Sequence, residues 1–142
     1  MKLHTASEVI SLARQLETDT AAFYELLGRS ASAGADMLLG FAKENRRNIA
    51  QVERAYYSVI SDAIEVGFAF DIEEDDYSIR LPENAGLPDS LKTAAGFEDK
   101  IERFYATAAT QGQSLLADVP RVFKQIAQKH TLRIEQLRRI AP

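Results

Sequence analysis

Six polar residues stand where a helical repeat should place apolar ones: Glu17, Asn45, Asn48, Glu98, His130 and Arg133. In the series Ala94, Glu98, Ile101, Tyr105, Ala108 the glutamate lies squarely on the apolar face. The series Leu38, Phe41, Asn45, Asn48, Val52 turns two amides inward, and Phe123, Ile126, His130, Arg133, Leu137, Ile140 turns in an imidazole and a guanidinium. Glu17, between Ala13, Ala21 and Tyr24, sits at the edge of its stripe. Burying an unpaired charge costs several kcal/mol, so these groups must meet something. The chain offers two chemistries for that meeting: mutual ion pairing and hydrogen bonding, or coordination by the oxygen and nitrogen donors of its carboxylates and histidines, His4 and His130.

Four helices are needed to position these groups. Thr5 and Glu8 form a capping box, after which Val9, Leu12, Ala13, Leu16, Thr20, Phe23 and Leu27 repeat at helical spacing, which predicts a helix over 6–30. A small-residue turn at 30–34 leads into a long second helix, marked by Leu38, Phe41, Val52, Tyr56, Val59 and Ala63 and ending before Gly67. The link is short enough to make the two helices antiparallel neighbours. Residues 68–81 change period: Phe68, Phe70 and Ile72, then Tyr77, Ile79 and Leu81, alternate with other residues, which predicts a short β-hairpin or a pair of extended segments. The acids Glu73, Glu74, Asp75 and Asp76 between them read as a solvated loop tip. Pro82, Gly86 and Pro88 delay a third helix until Asp89 or Ser90, and it should stop near Gly112. Asp118 and Pro120 open a fourth. The expectation is a single all-α domain over 1–142: a four-helix bundle of two antiparallel hairpins joined by a long crossover, with helices two and three parallel.

Composition narrows the function classes. Cysteine is absent, which removes disulfides, thiolate metal sites, iron–sulfur clusters and cysteine nucleophiles. A net charge of −4 disfavours nucleic-acid binding, because Arg133, Arg138 and Arg139 are the one basic cluster and lie in the last turns of a helix. No stretch approaches a membrane span and the start has no signal-peptide character, so a cytoplasmic protein is expected. His4 reads as an exposed terminal residue. Tyr56, Tyr57, Val59 and Ile60 make the second helix apolar on more than one side, which suits crossover packing or a homodimer contact. There is no nucleophile motif and no glycine-rich phosphate loop.

The two hairpins look like copies. Glu17, Phe23 and Tyr24 recur as Glu98, Phe104 and Tyr105, each 81 positions on. Ala42, Asn45, Asn48, Ile49 and Val52 recur, 85 positions on, as Ala127, His130, Arg133, Ile134 and Leu137. Glu17 with Phe23-Tyr24, and the run Phe41-Ala42-Lys43-Glu44-Asn45-Arg46-Arg47-Asn48, together with their counterparts, resemble the rubrerythrin branch of the ferritin-like superfamily over nearly the whole chain. The resemblance implies a carboxylate-bridged di-iron centre that handles peroxide or dioxygen, with a glutamate from helices one and three and Glu-x-x-His from helices two and four. Glu17 and Glu98 match the first pair of positions. The Glu-x-x-His positions hold Asn45 and Asn48, then His130 and Arg133. A register one residue earlier gives Glu44 and Arg47 but sets Lys129 and Leu132 in the partner slot, and the glutamate that often follows the third-helix ligand is replaced by Ile101.

Two carboxylates and one imidazole therefore remain of the six-ligand set that the resemblance implies. The leading expectation is a degenerate site without cofactor, in which Arg133, with protonated His130, pairs with Glu17 and Glu98 while Asn45 and Asn48 complete the hydrogen bonds. The competing expectation is a metal-binding oxidoreductase that holds iron, manganese or zinc on Glu17, Glu98 and His130. A third is a dimeric interaction module whose interior only packs.

Overall fold

The computed structural model describes residues 1–30, 34–60, 70–81, 87–114 and 118–140. Four long helices dominate: α1 (Ala6–Ser30), α2 (Ala35–Ile60), α3 (Leu87–Gln111) and α4 (Asp118–Ile140). Two short strands, β1 (Lys2–Leu3) and β2 (Ile72–Glu73), complete the regular structure, with 3-10 turns at Glu74–Tyr77 and Gly112–Ser114. No described helix is long and apolar enough to cross a membrane.

Helix α1 starts where the capping box requires. Thr5 Oγ1 accepts the Glu8 backbone N–H at 3.2 Å and Glu8 Oε1 accepts that of Thr5 at 3.1 Å, which satisfies two donors of the first turn. At the start of α2, Gly34 adopts φ +76° and its carbonyl accepts the Leu38 N–H. A Cβ there would be strained and would lie 2.8 Å from Ile140 Cδ1. Gly34→Ala should therefore lower stability by about 1–2 kcal/mol in a denaturant titration; an unchanged midpoint would show that the turn relaxes freely. Helix α3 begins at Leu87, earlier than the expected cap at Asp89 or Ser90. Pro88 is tolerated because a first-turn N–H has no partner inside the helix.

Helices α1 and α2 pack as one hairpin and α3 and α4 as the other, with α1 against α3 and α2 against α4 closing the bundle. Side-chain pairs fix the directions. Glu17 reaches Tyr105 while Tyr24 reaches Glu98, so α1 and α3 are antiparallel. It follows that α2 and α3 are parallel, and the crossover must run the length of the bundle. It descends along α3: Asp71 is bonded to Gln111, Tyr77 to Thr107 and the Ser78 carbonyl to Lys100.

The extended segment in this crossover is present, but its partner differs from the expected hairpin at 68–81. β2 pairs antiparallel with β1, Leu3 opposite Ile72, whereas the acidic run coils into a 3-10 turn and 78–81 forms no strand. The alternating residues Phe70 and Ile72 serve as a lid, buried with Leu3 over the end of the bundle. His4 is half-buried beneath it, its Nδ1 3.2 Å from the Phe70 carbonyl oxygen, and is not the exposed terminal residue expected. Phe68, Ala63 and the end of the second helix beyond residue 60 lie outside the described residues. Of the residues suggesting a second apolar side on α2, Tyr56 packs against the core and Tyr57 is 57% exposed; the side chains of Val59 and Ile60 also lie outside the described set.

The core divides into two apolar clusters. One holds Leu12, Leu16, Val52, Ile101, Phe104, Phe123 and Ile126; the other holds Phe23, Leu27, Leu38, Phe41, Phe97 and Leu137. The boundary crosses all four helices at one level, at 17–20, 45–48, 98 and 130–133, where apolar side chains give way to polar ones.

Candidate functional site

Glu17, Asn45, Asn48, Glu98, His130 and Arg133 all lie in this middle layer, each at most 1% exposed. The helical repeat brings them there: each continues an inward stripe whose neighbours a turn away are core residues. His130 is the centre. Its Nε2 lies 2.6 Å from Glu17 Oε1 and its Nδ1 is hydrogen-bonded to Glu98 Oε2, so one imidazole bridges carboxylates from two helices. The ring also stacks on Tyr105, centroids 5.8 Å apart and nearly parallel.

The tyrosines cross between the repeats. Tyr24 donates to Glu98 at 2.5 Å and Tyr105 donates to Glu17 at 3.0 Å. Asn48 Nδ2 approaches both Glu17 oxygens at 3.4 Å, and its counterpart Arg133 donates from Nη1 to Glu98 at 3.1 Å. The repeat legible in the sequence is thus an approximate two-fold in space, broken where His130 and Arg133 replace amides. Asn45 serves the arginine: its Oδ1 accepts Arg133 Nη1 at 2.5 Å, while its Nδ2 donates to Thr20 Oγ1 at 2.7 Å and to the Glu17 carbonyl at 3.0 Å. Arg133 does not bond Glu17; its second carboxylate is Glu44 on α2, which accepts from Nη2 at 2.7 Å and Nε at 3.1 Å. Its guanidinium also lies over the Phe41 ring, 4.8 Å from the centroid.

Burial alone would drive charge out of such a layer, but the partners prevail. Desolvation lowers the His130 pKa, and the Glu98 and Glu17 carboxylates more than reverse it, raising it from 6.5 to about 9. For Glu98, desolvation raises the pKa and the His130 and Arg133 cations overcome it, leaving the carboxyl below its ordinary value. Arg133 is raised despite desolvation, chiefly by Glu98. Desolvation and the facing carboxylates push both Tyr24 and Tyr105 well above 10, so both remain hydrogen-bond donors. At neutral pH the layer holds an imidazolium and a guanidinium against two carboxylates, and among the described residues no buried side-chain polar atom lacks a partner.

Removing either phenol should be felt. Tyr105→Phe and Tyr24→Phe each leave a buried carboxylate one donor short, and each should cost about 1–3 kcal/mol in urea unfolding. A loss no larger than that of an exposed Tyr57→Phe control would show the crossed bonds to be incidental.

The donor set, as folded, does not fit a metal. Both ring nitrogens of His130 are engaged by carboxylate oxygens, and the Arg133 charge stands 3.1 Å from Glu98, where it opposes a second cation. Among the described residues no three or more His, Asp or Glu side chains form a cluster able to hold an ion.

Glu44 belongs to the site although the stripe does not contain it: it lies one position before Asn45 and is half-buried. Tyr24 and Tyr105, repeat counterparts in the sequence, are fully buried in the core and carry the crossed bonds as well. The available signal was their identical spacing, seven residues after Glu17 and Glu98. Compared with protein-family models, with curated proteins and with solved structures, the chain gives no match in any of the three.

Proposed function

We propose that this chain is a rubrerythrin-like member of the ferritin-like superfamily whose di-iron centre has been replaced by an ionic network, and that the bundle serves as a non-catalytic, structural protein. The reading is carried by His130, with one carboxylate on each ring nitrogen. A guanidinium and an imidazolium supply, within the protein, the positive charge that metal ions bring to a carboxylate-rich interior. The metal-binding reading, with iron, manganese or zinc on Glu17, Glu98 and His130, requires His130 to release one carboxylate and Arg133 to turn away from another.

Thermal unfolding of chelator-treated protein with added Fe(II), Mn(II) or Zn(II) tests the choice. A ligand specific for the folded state adds about 2.7 kcal/mol at a hundredfold excess over Kd, which raises Tm by several degrees. The ionic network predicts no such rise. A saturable increase that disappears in Glu98→Ala would contradict it and favour the oxidoreductase reading.

A further inference from the structure

We infer that the groove above Arg133, between α2 and α4, binds a small carboxylate carrying a short apolar tail. The groove encloses about 380 Å³ and runs past Met37, Gly40, Glu44, Lys129 and Leu132, with Arg133 beneath Glu44. The inner corner of the guanidinium is committed: Nη1 holds Asn45 and Glu98. The outer edge, Nε and Nη2, faces Glu44, and both donors converge on the single oxygen Oε1. A carboxylate lying along that edge would receive two parallel N–H···O bonds, one per oxygen, which is the stronger and better directed arrangement. Glu44 can yield the place, because its side chain is 34% exposed and would pass into water.

The surroundings select the rest of the ligand. Lys129 stands one helical turn before Arg133 and lines the groove as a second cation, its Nζ donating to the neutral amide oxygens of Asn48 and Gln51 at 3.5 and 3.4 Å. A Cβ on Gly40 would meet no atom within 4 Å, which leaves open space beside Glu44. Half-buried Met37 and 66%-exposed Leu132 supply apolar walls for a tail. Tethered Glu44 competes for the same edge, so binding to the wild type should be weak. The inference rests on this outer edge and the groove walls around it, and stands whether or not the inner layer is catalytically silent.

The test follows the Arg133 Nε–H signal of the full chain by nitrogen-15 NMR during titration with hexanoate, with acetate and inorganic phosphate as comparators. Hexanoate should shift that signal saturably, with a Kd in the millimolar range. Glu44→Gln, which removes the competing charge at a half-exposed position, should tighten binding about tenfold, and Lys129→Ala should weaken it about threefold. An Arg133 signal unmoved at roughly 50 mM hexanoate in both wild type and Glu44→Gln overturns the inference. So does equal affinity in the two proteins, or phosphate or acetate binding as tightly as hexanoate.

Discussion

Arg133→Met should destabilise the domain by roughly 3–5 kcal/mol, read as a shift of the denaturant midpoint at unchanged slope. Methionine can fill much of the volume, so the effect is one of charge and hydrogen bonding. Glu98 loses its 3.1 Å partner, Asn45 Oδ1 loses its donor and both remain buried. The buried layer would then hold the His130 imidazolium alone against Glu17 and Glu98, and an excess of buried negative charge is far more costly than an ion pair lost to solvent. Glu44→Gln provides the internal comparison. It removes the other carboxylate on Arg133, but from a half-exposed side chain, and should cost no more than about 1 kcal/mol. If Arg133→Met also falls below about 1 kcal/mol, the guanidinium is not neutralising buried charge.

Stability should decline on the alkaline side by about 3 kcal/mol as His130 deprotonates. Its folded-state pKa of about 9 lies above the ordinary 6.5, so the imidazolium's contribution is complete below about pH 6.5 and is lost as pH rises through 9. Glu98 acts in the opposite sense. Its carboxyl is held below 4.5, so its contribution is present above that pH and is lost as acid protonates the folded form. The stability maximum should therefore lie between about pH 4.5 and 6.5. Above pH 10 the tyrosines add to the loss, since unfolded phenols ionise while buried Tyr24 and Tyr105 resist. Urea midpoints measured across pH 4–10 in wild type and His130→Gln would separate these contributions. The variant should lose the decline between 6.5 and 9, and a wild-type curve flat over that interval would show His130 to be neutral.

The middle layer was legible because a helix has one period and few ways to hide a polar residue. Glu98, His130 and Arg133 each replace an expected apolar side chain at that period, and their convergence follows once four such helices share a core. Glu44 was not legible: it flanks the stripe, and only the length of the Arg133 side chain brings it into the network. The crossed tyrosine bonds required knowing that α1 and α3 run antiparallel, which depends on the crossover and not on either helix. The extended residues 70–73 announced their conformation by alternation but not their partner. Their ladder is made with Lys2 and Leu3, far away in sequence, where no local turn signal reports it. The start of α3 was misplaced for a related reason. Pro88 resembles a barrier in sequence, yet a proline in the first turn opens a helix as readily as it blocks one.

The ionic reading of the layer and its alkaline loss of stability depend on a doubly protonated imidazole held between Glu17 and Glu98. Side-chain nitrogen-15 NMR of His130 at pH 7 observes that state directly. Both ring nitrogens should appear protonated, with a titration midpoint near 9. A neutral ring with one bare nitrogen at pH 7, or a midpoint at or below 6.5, would contradict the ionic layer.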